Sequence, residues 1–194
     1  GMQTWDYAHC LPYFRRMEHA LAAEPGDGFR GAAGPLVLER GPATNPLFHA
    51  FFAAAVQAGY PRTDDVNGYR QEGFAPFDRN VRRGRRYSAA RAYLHPVLHR
   101  PNLTVRTLAF VKRIVFEGTR AVGVECTHYK GLPATFRAGE IILCGGAINT
   151  PQLLQLSGVG PAALLAAQGI AVQVDAPDVG ANLQDHYQAR VIVR

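Results

Sequence analysis

Lysine is nearly missing from this chain, which holds Lys112 and Lys130 and no others, although its 194 residues carry 21 basic against 15 acidic side chains. The net charge of +6 is therefore arginine charge, and the forked guanidinium suits phosphate or carboxylate better than a lysine ammonium does. Cysteine is scarce too. Cys10, Cys126 and Cys144 are odd in number and widely spaced, which argues against a disulfide framework and for a reducing, cytoplasmic compartment. No run approaches the roughly 18–20 apolar residues of a membrane-spanning helix, and Gly1–Tyr7, with Trp5 and Asp6, lacks the apolar segment of a secretion signal. These absences predict a soluble protein. With 47% hydrophobic residues, the chain can bury a core of one domain, or one and a half.

The pattern along the chain is mixed. Trp5–Glu18 has apolar residues at helical spacing interrupted by Pro12, which predicts a helix in two parts. Glycine and proline make 24–34 a loop, and Pro35–Glu39 is short and extended. Asn45-Pro46 opens a helix through Ala58, closed by Gly59 and Pro61. From Pro61 to Arg86 no periodicity is sustained, so a long connection is expected. Ser88 caps a helix through Leu98. Leu103–Thr107, Ala109–Phe116, Ala121–Cys126 and Ala134–Arg137 read as an antiparallel meander with a glycine-bearing turn at Glu117–Thr119. Glu140–Cys144 is a continuous apolar run, as in a strand buried on both faces of a parallel sheet. It leads through Gly145-Gly146 into a helix from about Asn149–Pro151, half of a βαβ unit. A helix over Pro161–Gln168 and an extended Ile170–Val174 follow.

Several residues could carry chemistry. Gly145-Gly146 lets backbone amides approach an anionic ligand at a helix N-terminus, or merely makes a tight turn. Gly158-Val159-Gly160-Pro161-Ala162-Ala163 fits a loose dinucleotide pattern, but it follows a helical stretch where that motif needs a strand. His95 and His99 stand four apart without a third metal ligand, and Ser157 lacks a nucleophile elbow. His186 beside Asp185 reads as a polar structural element. Arg82-Arg83-Gly84-Arg85-Arg86 reads as a solvated basic loop, since no nucleic-acid-reading motif accompanies it.

The stretch Gly146-Ala147-Ile148-Asn149-Thr150-Pro151-Gln152-Leu153-Leu154-Gln155-Leu156-Ser157-Gly158-Val159-Gly160 resembles the second signature of the glucose-methanol-choline flavin oxidoreductases. Flanking elements resemble the same family in the same order, among them Leu11–Phe14, Gly34-Pro35-Leu36, Asn45-Pro46-Leu47, Asp65–Gly68, Ser88–Leu94 and Val179–His186. Gly59–Asp65 with Asn67-Gly68-Tyr69 is particularly similar to its choline- and alcohol-oxidising bacterial branch. The resemblance implies an α/β protein with α+β elements: a partial Rossmann-like FAD-binding domain with an antiparallel meander, plus part of a substrate domain. On that basis 1–34 is a helical lid or linker, 35–101 part of the substrate domain and interdomain loop, 102–188 the partial FAD-binding domain, and 189–194 the start of a substrate-domain strand.

The family uses FAD to oxidise the CH–OH group of alcohols. The matching cofactor-binding positions are Val111, whose backbone would contact the adenine, and Gly145, Gly146 and Ala147. No catalytic or metal-binding residue is assigned, because neither His128 nor His186 matches the family's catalytic histidine and its glycine-rich pyrophosphate turn has no counterpart. The chain is therefore expected to be an internal piece, inactive and without FAD when isolated, with a small alcohol as the intact enzyme's substrate. Exposed edges of Ile141–Cys144 would favour self-association. The alternative is a non-catalytic remnant that binds a partner through Arg82–Arg86.

Overall fold

Asp6 accepts a hydrogen bond from the His9 N–H at 2.9 Å and so caps α1 (Tyr7–Met17) in the computed structural model, which describes residues 3–24 and 26–188. The predicted break at Pro12 does not occur; the helix runs through it. Proline removes one bond to the carbonyl of Ala8, and Ala8 is exposed, where an oxygen open to solvent costs little to leave without a backbone partner. The chain divides into two compact units, Gly1–Thr104 and Val105–Arg194.

In the first unit, β1 (Glu18–Ala20) pairs parallel with β2 (Leu36–Arg40). The loop joining them approaches α1 so closely that a Cβ on Gly31 would lie 1.9 Å from the Arg15 carbonyl oxygen. Asn45 caps α2 (Pro46–Gln57), accepting from the Leu47 N–H, and Pro46 holds the first helical position, as the cap-then-proline signal predicts. The long connection from Pro61 to Arg86, in which no periodicity is sustained, holds short strands. β3 (Asp78–Arg79) pairs antiparallel with β2, and the basic run folds into a hairpin of β4 (Val81–Arg82) and β5 (Arg85–Arg86). The helix expected through Leu98 is instead a π-helical turn, Ala90–Leu94, followed by a 3-10 turn, His95–Val97. Pro96 has no N–H with which to continue an α-helical ladder.

The second unit is built on the meander β6 (Ala109–Glu117), β7 (Arg120–His128) and β8 (Pro133–Arg137), antiparallel in that order. Its buried face carries Ile114, Val122 and Cys126. Leu103–Thr107 does not join it, because Leu108 takes a positive φ of 56° and turns the chain just before β6. Glu140–Cys144 is a second correction. It pairs with no strand among the described residues, and Ile142 is 76% exposed. An apolar run forms a strand only where a neighbour completes its backbone hydrogen bonds.

α3 (Gly146–Leu156) starts at the second glycine rather than at Asn149–Pro151, and Pro151 lies inside it. β9 (Val159–Gly160), α4 (Ala162–Ala167) and β10 (Val174–Asp175) follow, with β10 parallel to β9. Leu165 of α4, 1% exposed, is the most enclosed side chain described. Gly158 follows α3 and not a strand, so the dinucleotide-like pattern there lacks its structural context. The expected strand start at 189–194 lies outside the described residues.

The first unit is organised by charge more than by apolar burial. Its buried apolar side chains are mostly small: Ala20, Val37, Phe52, Ala55, Ala75 and Ala92. Among them the Arg30 side chain, 2% exposed, donates through Nε to Glu18 at 2.9 Å, through Nη2 to Asp78 at 2.9 Å, and through Nη1 to Asp65. Arg40 Nε adds a second hydrogen bond to Asp78 at 2.8 Å. Burial alone would push the Arg30 guanidinium down, but its bonds to Glu18, Asp78 and Asp65 raise it further above its ordinary value. Burial would likewise push the Asp78 carboxyl up, and the hydrogen bonds and charge of Arg40 and Arg30 outweigh it, holding it below its ordinary value of 3.8.

Removing one partner of a buried ionic cluster strands the others, so Arg30→Ala is expected to cost about 3–5 kcal/mol in urea unfolding followed by circular dichroism. Asp78 titrates lower folded than unfolded. Its contribution is therefore complete above pH 3.8 and is lost as pH falls below that value through the folded one. A stability profile of Asp78→Asn that loses as much on acidification as the parent would contradict this assignment.

Candidate functional site

α3 packs against β6, and one hydroxyl fixes their register. Ser157 Oγ accepts the Ile114 N–H at 2.8 Å and donates to the Leu153 carbonyl at 2.6 Å. Ile114 is buried, so losing that acceptor would leave its N–H poorly served by water. The next residue, Gly158, has φ +87°, and a Cβ there would fall 2.5 Å from the Ala171 carbonyl oxygen. Gln155 Nε2 donates to the Val179 carbonyl at 2.9 Å, which ties the same end of α3 to the tail.

At the other end the Gly145 N–H donates to Thr150 Oγ1 at 3.0 Å. Between this turn, the run Ile141–Cys144 and strand β6 lies a cleft of about 490 Å³, whose walls include Phe110, Val111, Gly145, Thr150 and Leu153. Val111 pairs with Cys126 and Arg113 with Glu125, leaving Lys112 as a bulge. A bulge withdraws backbone groups from the ladder, and this one lies next to the cleft.

Two of the four residues expected to touch a cofactor, Val111 and Gly145, thus line one cleft. Gly146 and Ala147 do not line it. They form the exposed first turn of α3, Gly146 with φ +84° and no atom within 4 Å of where a Cβ would stand. Sequence reasoning took Thr150 and Ser157 as part of a pattern and missed their hydroxyl bonds. It also missed Cys144, an exposed free thiol on the cleft wall.

Among the described residues no histidine, carboxylate, lysine or tyrosine lines the cleft, and Cys144 brings its one titratable side chain. The nearest perturbed pair is exposed: hydrogen bonding from Arg113 keeps the Glu125 carboxyl below its ordinary range. His128 ends β7 and packs on Tyr129 with centroids 4.6 Å apart. His186 is exposed, and its backbone N–H bonds the Asp185 carboxylate. Among the described residues no three His, Cys, Asp or Glu gather to hold a metal, and no helix is long and apolar enough to cross a membrane.

A meander, a glycine turn and a helix around an apolar cleft define a part of a mixed helix-and-strand protein. The GMC oxidoreductase family model matches residues 1–188, and the chain belongs to that family. It is 58% identical over 191 residues to the oxygen-dependent choline dehydrogenase of Staphylococcus haemolyticus, covering 98% of this chain and 34% of that protein. Its fold matches pyridoxine 4-oxidase from Mesorbium loti with a TM-score of 0.83 at 36% identity, over 91% of this chain and 34% of that one. An FAD-dependent oxidoreductase from Chaetomium thermophilum matches with a TM-score of 0.81 at 29% identity, over 91% of this chain and 33% of the other. The chain thus spans about a third of the length of these relatives.

Ser157→Ala is expected to cost about 1–3 kcal/mol, the penalty for a buried donor left unsatisfied, and to speed hydrogen exchange at the Ile114 amide. Unchanged exchange at Ile114 would show the hydroxyl to be dispensable.

Proposed function

We propose that this chain supplies one wall of the FAD site, the adenine side, in an oxidoreductase acting on the CH–OH group of alcohols, with choline as the first substrate to test. The observation that carries the reading is the shared cleft of Val111 and Gly145. Its residues fit the group. The volume of about 490 Å³ falls within the roughly 300–1,000 Å³ of small-molecule sites, the walls are apolar enough for a flat base, and the bulge at Lys112 leaves backbone groups beside Val111 for its polar edge. The open backbone at Gly146 and Ala147, on the exposed first turn of α3, would be free to take the more polar remainder of the cofactor.

FAD, when bound, supplies the acceptor for a hydride leaving the alcohol carbon. The part played by this chain is to position: Val111 and Gly145 hold the base, while Thr150 and Ser157 fix the two walls. No residue of the chain is assigned to proton transfer. Residues 35–101 are assigned to the substrate domain and interdomain region, 1–34 to a lid or linker, and the working compartment to the cytoplasm.

A second reading, a binding module for an anionic partner, rests on the exposed Arg82, Arg83, Arg85 and Arg86 of the hairpin. One of these guanidinium groups is already engaged, since Arg82 lies over the Tyr87 ring at 5.5 Å, and the hairpin itself is tied down by the Arg83 backbone N–H, which bonds Glu39 at 2.6 Å.

The 194-residue chain is expected to purify without a visible flavin band and yet to bind adenosine weakly, with amide shifts in nuclear magnetic resonance confined to the cleft walls, Ala109–Val111, Val124, Ile141–Gly145 and Asn149–Leu156, and to the adjacent Lys112. Shifts elsewhere, or none at millimolar adenosine, would overturn the cofactor reading. Because Ile141–Cys144 pairs with no strand among the described residues and Ile142 is exposed, the chain is also expected to self-associate as its concentration rises. A monomer at every concentration in analytical ultracentrifugation would speak against that.

A further inference from the structure

We propose that the first unit carries a separate small-molecule site, selective for an aromatic carboxylate, in the cleft between α2 and the turns at 41–45 and 73–77. This cleft measures about 670 Å³, ample for a two-ring ligand. Its walls hold Phe48, Phe51, Phe52, Phe74 and Phe77, with Arg79 beside them. The rings are arranged among themselves, Phe51 edge-on to Phe74 at 5.4 Å and Phe48 stacked with Phe52 at 6.4 Å. Phe52 is buried, with the Arg62 guanidinium over its ring at 4.7 Å, but Phe48, Phe51 and Phe77 remain open, Phe51 being 51% and Phe77 69% exposed. A flat aromatic ring would cover that surface and add further edge-to-face contacts.

Arg79 selects the sign of the ligand's charge. Its cross-strand neighbour is Glu39, yet Arg79 makes no ion pair among the described residues, and Glu39 instead accepts the Arg83 N–H. Arg30 and Arg40, by contrast, are committed to carboxylates. The Arg79 side chain passes Gly41, where a Cβ would stand 3.6 Å from its Nε, and so reaches the cleft. Ala43 on the same rim is held at φ +45°, backbone strain of the kind that collects at binding sites. An aromatic lining by itself would also attract a quaternary ammonium such as choline through cation–π contact. An uncompensated guanidinium opposes that cation and offers a carboxylate two parallel hydrogen bonds. The inference stands apart from the reading of the Val111–Gly145 cleft.

The test titrates the 194-residue chain with 2-naphthoate and with the neutral 2-naphthalenemethanol by isothermal calorimetry at low salt. Naphthoate is expected to bind about tenfold more tightly, as a charge-assisted hydrogen bond confers. Arg79→Gln should remove that preference while leaving the alcohol's affinity unchanged, Arg79→Lys should retain part of it, and Phe51→Ala should weaken both probes. Choline should not displace naphthoate. The proposal is overturned by equal affinities for the parent chain, by absence of binding to a chain whose circular dichroism is native, by a preference that survives Arg79→Gln, or by displacement with choline.

Discussion

The hydroxyl of Ser157 lies between a helix and a strand and serves both: it donates back into α3 at Leu153 and accepts from β6 at Ile114. Serine suits this position because one oxygen offers a proton and lone pairs together. Ile114 is three residues along β6 from Val111, about 10 Å at strand rise, so the bond fixes where that wall of the cleft lies relative to α3. Thr150 does the corresponding work at the glycine turn. The motif by which the family is recognised is therefore a pair of hydroxyl ties with glycines before the first and after the second, and its residue types follow from hydrogen bonding and from the space denied at Gly158.

The first unit solves its assembly differently. With few large buried apolar side chains, it meets around Arg30, whose guanidinium is shared among carboxylates from β1, from the connection after α2, and from β3. Arg40 of β2 closes the cluster from the other side. Such an arrangement adds less net stability than an apolar core of equal volume, but each member is costly to lose once the others are buried.

What the sequence made legible was local. The cap and proline opening α2, the hairpin of β6 and β7, and a glycine closing α3 each have a signal within a few residues. Pro12 and Pro151 misled because the cost of proline depends on whether the orphaned carbonyl is exposed, which no local pattern reports. Ile141–Cys144 has the composition of a buried strand, but composition does not provide a partner. The paired dipeptides of β3, β4 and β5 are too short to show periodicity. For the site, Val111 and Gly145 came from family resemblance, while the Ser157 and Thr150 bonds and the lone charge of Arg79 are visible only once distant segments are brought together.

The Arg30 cluster has a kinetic side as well. Its bonds join residues 12, 35 and 48 positions apart, whereas β6, β7 and β8 meet through short connections. Closing long loops costs chain entropy before any contact repays it. The meander can therefore organise from neighbouring residues, while the first unit closes longer loops before carboxylates from three separate stretches, Glu18, Asp65 and Asp78, meet the one guanidinium.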